Sequence, residues 1–229
     1  MTVSFSAKLA VMGLRERKKA KTRVQISDIA TKLFLDRGFD EVTVAEVARA
    51  ANVSVKTVFN YFGAKEDLLF DREPEWLASI DALVEGRGPG RGLLLVLRAD
   101  LEVRWPALEF GRWDLMTEDA AAGRRRFYRL ITDHAGLRAR QLQMSEHLRE
   151  RFVAAAGTDL GAGEPEAVVA GTLMHAAYNA TGIELVSRLL AGDSAQDAVR
   201  AARDIGLTGL DVLIRAYAGT PLVDGPSAT

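Results

Sequence analysis

Residues 51–69 read ANVSVKTVFNYFGAKEDLL. The stretch mixes Val55, Val58, Phe59, Tyr61 and Phe62, which can pack, with Ser54, Lys56, Thr57, Asn60 and Lys65, which suit contact with a polyanion. A lysine can donate to guanine O6 and N7, an asparagine can pair with adenine, and an aromatic ring such as Phe59 can touch a thymine methyl. Hydroxyls on Thr57 and Tyr61 suit phosphate oxygens, which position a helix without reading sequence. Lys65 falls where a further helix should begin. A cation there opposes the helix macrodipole unless a phosphate shares the site. For Phe59 alone, burial in a core is an equally good reading. With Val55 at the helix start and Thr43 at an earlier cap, the candidate DNA-contacting set is Thr43, Ser54, Val55, Lys56, Thr57, Phe59, Asn60, Tyr61 and Lys65.

Helices must position this set. Over 17–37, Ile26, Ile29, Ala30, Leu33 and Phe34 recur at helical spacing on one stripe, and Gly38 is a natural stop. Thr43 followed three residues later by Glu46 is a capping box, with Val42 and Val47 as its staple. The spacing predicts a two-turn helix from Val44 to about Ala51, a corner at Asn52 with positive φ, and a helix from Val55 to Phe62 capped by Ser54. Two short helices joined by so short a corner make a helix-turn-helix. Val58 and Phe62 then face inward with Val47 and Ala48, leaving Lys56, Thr57, Phe59, Asn60 and Tyr61 wholly or partly outside.

Composition narrows the function classes. The chain has 229 residues and no cysteine, which excludes a disulfide scaffold, a thiolate metal site and a cysteine nucleophile and fits a cytoplasmic location. No apolar run is long enough to span a membrane, and the N-terminal LAVMGL is too short for an export signal. A net charge of −1 hides an asymmetry: residues 1–65 hold 12 basic against 6 acidic residues, and the remainder 18 against 25. A basic front on an acidic body points to polyanion binding at the front. Arg15, Arg17, Lys18, Lys19, Lys21 and Arg23 make a basic arm that could reach flanking phosphates or the minor groove. No nucleophile elbow, phosphate loop or paired carboxylates suggest an enzyme, and three isolated histidines do not make a metal site. No cofactor is expected. A small helical enzyme and a nonspecific architectural DNA protein are the competing classes.

From ISDIATKLFLDRGFDEVTVAEVARAANVSVKTVFNYFGAKEDLL onward, residues 20–70 resemble the TetR family of bacterial transcriptional regulators, with its capped second helix, short recognition helix and YF..KE.LL pattern. One departure is Ala64, where the family usually has a Ser, Thr or Asn cap before the lysine. The resemblance implies an all-α protein: an N-terminal three-helix helix-turn-helix domain and a C-terminal helical ligand-binding and dimerisation domain. The expected divisions are a flexible basic arm (1–18), the DNA-binding domain (19–64), the body (65–218) and a disordered tail (219–229). Helices are expected from Lys65 through Ile80, then over 93–104, 107–120, 123–133, 137–156, 165–191 and 195–218, with loops at 85–92 and 157–165.

The last two helices are apolar over more than one face, as helices packing against both a core and a partner must be. Leu173, Ala177, Ala180, Ile205, Leu210, Leu213 and Tyr217 are the candidate interface of a homodimer, which the family resemblance also implies. The resemblance further implies a small-molecule effector bound in the body. Its candidate lining is Trp105, Phe110, Trp113, Met116, Tyr128, Met144, His175, Tyr178 and Asn179, a set suited to an apolar or aromatic ligand. The expected partners are a pseudo-palindromic double-stranded operator, that effector and a second copy of the chain, with no membrane. The expected function is a sequence-specific repressor released by its ligand.

Overall fold

The computed structural model describes residues 13–88, 90–103, 118–161 and 164–225, which contain helices and no strand. The chain forms two compact units, Met1–Asp71 and Arg72–Thr229.

In the first unit, α1 (Leu14–Arg37) buries Ile26, Ala30 and Phe34, spaced four apart so that they share one face. It ends at Gly38, whose φ of 92° suits only glycine. Phe39 then turns back so that its ring lies 4.9 Å from that of Phe34. α2 (Val44–Ala50) starts at a complete capping box. Thr43 Oγ1 accepts the Glu46 N–H at 3.2 Å, and the Glu46 carboxylate accepts the Thr43 N–H at 2.8 Å. The corner passes through Asn52 with φ 56°, and Val53 N–H donates to Ala48 O at 2.9 Å. Ser54 caps α3 (Val55–Tyr61) by accepting the Thr57 N–H at 3.0 Å. Val42, Val47, Ala48, Ala51, Val58 and Phe62 complete a small core with the α1 stripe.

The second unit comprises α4 (Glu73–Glu85), α5 (Leu93–Val103), α6 (Glu118–Asp133), α7 (Ala135–Leu160), α8 (Glu164–Ala191), α9 (Ala195–Ala216) and α10 (Pro221–Asp224). α8 lies at the centre, packed along both α7 and α9, while α5 packs on α9. Close approach explains its alanines and glycines. A Cβ on Gly171 would stand 2.4 Å from Val153 Cα, so α7 and α8 touch backbone to backbone. Leu93, Leu94, Leu97 and Leu101 of α5, Phe152 of α7, and Met174, Leu185 and Leu189 of α8 fill the interior. Caps set the boundaries again: His134 Nδ1 accepts the Leu137 N–H at 3.2 Å, and Ser194 Oγ accepts the Asp197 N–H at 3.2 Å. Arg125 donates to the carbonyls of Leu189 and Asp193 at 3.1 and 2.8 Å, placing a cation at the C-terminal end of α8.

Four expectations are corrected. The helix expected to run from Lys65 through Ile80 is broken into a 3-10 turn (Glu66–Leu68) and α4. A continuous helix would drive the Pro74 ring into the carbonyl of residue 70, whereas in the first turn of α4 the missing N–H is harmless. The basic arm is helical from Leu14 onward. The loop expected over 157–165 begins later, because α7 continues to Leu160 and turns at Gly161 with φ 50°. Its last turn carries Asp159, whose buried carboxylate is held by Arg87.

The fourth correction concerns the tail, expected to be disordered from 219. Instead α10 folds back on α5 and α7 with Leu222 fully buried. The carbonyl of Val223 lies against Gly92, where a Cβ would come within 2.2 Å of it. Residues 104–117, with the candidates Trp105, Phe110, Trp113 and Met116, lie outside the described residues. Leu222→Ala should lower unfolding stability by about 2 kcal/mol or more, as for a filled core site. Urea titration checks this; a change near zero would mean that the tail is not seated.

Candidate nucleic-acid interface and body cleft

The recognition face follows from how α3 sits. Val58 and Phe62 are buried, while Ser54, Val55, Lys56 and Asn60 are exposed and Thr57 and Tyr61 are half-covered. Phe59 is 53% exposed, which decides its two readings against a place in the core. Thr43 is exposed at the start of α2, the other N-terminus of the motif. The Thr57 hydroxyl lies 2.8 Å from that of Ser54, which restricts its rotation before any contact is made.

Two cations have jobs that the sequence reading did not assign. Arg23 was expected in the basic arm. Its guanidinium instead lies 4.6 Å from the Phe62 ring centroid and donates to Tyr61 O at 2.6 Å and Asp71 O at 3.4 Å. It therefore satisfies the last carbonyl of α3, where the helix dipole favours positive charge. The signal was present: Arg23 stands one turn before Ile26 and Ser27, on the buried stripe of α1. Lys65 Nζ donates to Phe39 O at 2.5 Å and lies 4.2 Å from the Phe39 ring centroid. The turn after it is closed by Asp67, whose carboxylate accepts the Ala64 N–H at 3.0 Å. That bond is the reverse half of a capping box: it ties down the backbone before the turn, whose own start has no side-chain cap.

The Glu46 carboxyl is held down to about 2, first by the Thr43 backbone N–H and then by Arg37, 2.8 Å away. A carboxylate whose folded pKa is depressed stabilises the fold above its ordinary value of 4.5 and loses that contribution as pH falls toward 2. Glu46→Gln should therefore be less stable than the parent at neutral pH, with the difference shrinking below pH 4.5. Thermal melts of both proteins across that range check it; a gap that does not narrow would remove Glu46 from this role.

In the body, the expected dimer set divides. Leu173 and Ile205 are exposed, Ala180 and Tyr217 are half-covered, and Ala177 packs against Gly209 of its own chain. Leu210 is fully enclosed and Leu213 nearly so, which corrects their placement: both are core residues of α9 with no surface to offer a partner. Val169, Ile183 and Val212 are exposed on the same two helices.

Of the expected ligand lining, Tyr128, Met144, His175, Tyr178 and Asn179 fall among the described residues. Tyr178 is buried with its ring edge-on to Phe152 at 5.7 Å, and Tyr128 packs on Phe127 at 5.6 Å. His175 Nε2 lies 3.0 Å from Ser145 Oγ, and burial followed by nearby Arg149 pushes its pKa down. Met144 and Asn179 are half-covered.

A cleft lies between α4 and α7, with a volume of about 820 Å³. Leu77, Val84, Ala154 and Ala155 give it an apolar surface, and Asp81, Glu85, Arg87, His147, Glu150 and Arg151 line it with charge. Of the chain's three histidines, which were possible polar contacts for a ligand, His147 lines it. Three ionic links cross from α4 or the loop after it to α7: Glu73 to Arg140 and His147, Asp81 to Arg151, and Arg87 to Asp159. Burial pushes the Glu73 carboxyl up, but the bonds from Arg140 and His147 outweigh it and hold the group below its ordinary value. Partners some 70 residues apart carry no signature in the sequence.

The fold and its exposed α3 define a helix-turn-helix DNA-binding protein with a separate helical body. Residues 26–71 match the family model described as bacterial regulatory proteins, tetR family. The chain is 31% identical over 145 residues to the HTH-type transcriptional regulator TcmR of Streptomyces glaucescens, a match that covers 61% of each protein. It is 29% identical over 200 residues to a Mycobacterium tuberculosis protein named as transcriptional regulator MftR, covering 86% of this chain and 95% of that one. A crystal structure of an Aquifex aeolicus transcriptional regulator superposes with a TM-score of 0.46 at 16% identity, over 84% of this chain and 99% of that one. Residues 26–71 are a DNA-binding domain of the tetR family, and the chain is a DNA-binding transcriptional regulator. None of its described helices is long and apolar enough to cross a membrane.

Proposed function

We propose that the chain is a homodimeric repressor that reads a pseudo-palindromic operator through α3 and releases it when a small molecule occupies the body. The observation that carries this reading is the division of α3: Val58 and Phe62 hold it in the core while Lys56, Phe59 and Asn60 stand clear of it. Lys56 suits guanine O6 and N7, Asn60 the adenine edge, and Phe59 a thymine methyl. The hydroxyls of Thr43, Thr57 and Tyr61, together with the remaining donors of Lys65, suit phosphates. A seven-residue helix reads few base pairs, so two half-sites about 34–36 Å apart, or a multiple of that spacing, are needed for a useful operator. Exposed Leu173, Ile183, Ile205 and Val212 on α8 and α9 supply the apolar surface for a second copy.

Release requires a ligand that binds the two states of the protein unequally. α4 forms one wall of the cleft and begins two residues after the DNA-binding unit ends at Asp71. A ligand that moves α4 therefore acts on the segment leading directly from that unit.

Selection from a random duplex pool, followed by anisotropy titration, should yield a pseudo-palindromic consensus. No enrichment, with binding lost at moderate salt, would overturn sequence-specific reading. Lys56→Ala should reduce the salt slope by about one and relax preference at one base pair, and Asn60→Ala should change the preferred bases with a loss of about 1–3 kcal/mol on the parental site. An unchanged preference in Asn60→Ala would remove that residue from base reading. Ile183→Glu should shift the sedimentation coefficient from dimer to monomer and weaken operator binding together.

A further inference from the structure

We infer that the cleft between α4 and α7 takes an amphipathic organic cation, with an apolar body on its floor and a positive group between Glu85 and Glu150. The inference deepens the ligand-release reading above and rests on it for its regulatory meaning. The cleft volume of about 820 Å³ lies within the range of small-molecule sites. Its floor is apolar: Leu77 and Ala155 are buried, and Val84 is half-covered beside them.

Charge chooses the ligand's sign. Both lining arginines are already engaged, Arg151 with Asp81 and Arg87 with the buried carboxylate of Asp159. Glu85 comes from α4 and Glu150 from α7, both exposed, and neither has an ion-pair partner among the described residues. Arg149, next to Glu150 in sequence, is held by Glu146 at 2.5 Å. Two carboxylates outside any ion pair, Glu150 feeling only the longer-range attraction of Arg149, focus a negative potential beside a low-dielectric floor. An anion would have to take Arg87 or Arg151 from its carboxylate, and stripping a buried carboxylate such as Asp159 of its partner is strongly unfavourable. A neutral apolar molecule would cover the two carboxylates without replacing their water. A cation with an apolar body satisfies both surfaces and breaks neither arginine pair.

Tetraphenylphosphonium and tetraphenylborate are nearly the same shape with opposite charge, so they isolate the sign. Calorimetric titration of the full chain without DNA should show tetraphenylphosphonium binding more tightly than tetraphenylborate. The double substitution Glu85→Gln and Glu150→Gln keeps shape while removing charge; it should weaken the cation about fivefold and leave the anion no weaker. Ala154→Trp, which fills the cleft from an exposed position, should block the cation while a melting curve reports an intact fold. Equal affinity for the two ions, or cation binding untouched by the glutamine pair or by Ala154→Trp, would overturn the assignment. Operator titration with the bound cation tests the other claim separately. A cation that occupies the cleft without changing DNA affinity counts against ligand release, and absence of calorimetric binding counts against the cleft.

Discussion

A helix of seven residues cannot hold itself together in water, because nucleating it orders several residues for few hydrogen bonds. Both helices of the DNA-binding motif have that length, so the structure around them supplies what they lack. Each begins on a side-chain cap, Thr43 or Ser54. α2 also presses an apolar face onto α1, α3 packs on α2, and α3 has its last carbonyl held by Arg23. The long first helix is thus the scaffold on which the short ones are fixed. The motif can expose most of α3 because the rest of the unit, and not α3 itself, provides its stability.

The body solves a different problem by two different means. Along α7, α8 and α9, small residues bring backbones close and leave little empty space, as Gly171 against Val153 shows. α4 is attached to α7 in another way, by ionic links at Glu73, Asp81 and Arg87, with a cleft beside them. Interlocked apolar side chains resist displacement because any shift opens voids. Of the ionic links only Asp81 to Arg151 lies near water, where hydration replaces much of what is given up; the Glu73 and Asp159 carboxylates are buried and depend on their partners. The helix that leads from the DNA-binding unit is therefore fastened at a few charged points, two of them buried, with the cleft beside them.

The head was largely legible in the sequence because its signals are local. The capping box at Thr43, the positive φ at Asn52 and the split of α3 into buried and exposed residues all follow from neighbours within a few positions. Asn52 could be read because few side chains tolerate that backbone. Arg23 and Lys65 were assigned to solvent or phosphate because charge type was weighed above position, although Arg23 lies on the buried stripe. The break before α4 is written in Pro74, but the apolar pattern from Leu68 to Ile80 runs across it and suggests continuity. The body's cleft was not legible. Aromatic residues such as Tyr178 mark an interior and do not say where it is hollow. The cleft's charges depend on partners that only the folded chain brings together.

The closeness of Val223 to Gly92 has a genetic consequence. Any side chain at position 92 would lift the last helix off its seat, and so would a stop codon before Leu222. The two lesions lie some 130 positions apart yet produce one defect, so combining them adds little to either. Variation at Gly92 should therefore be epistatic with variation in the tail, and a change in one would set which changes in the other can be tolerated.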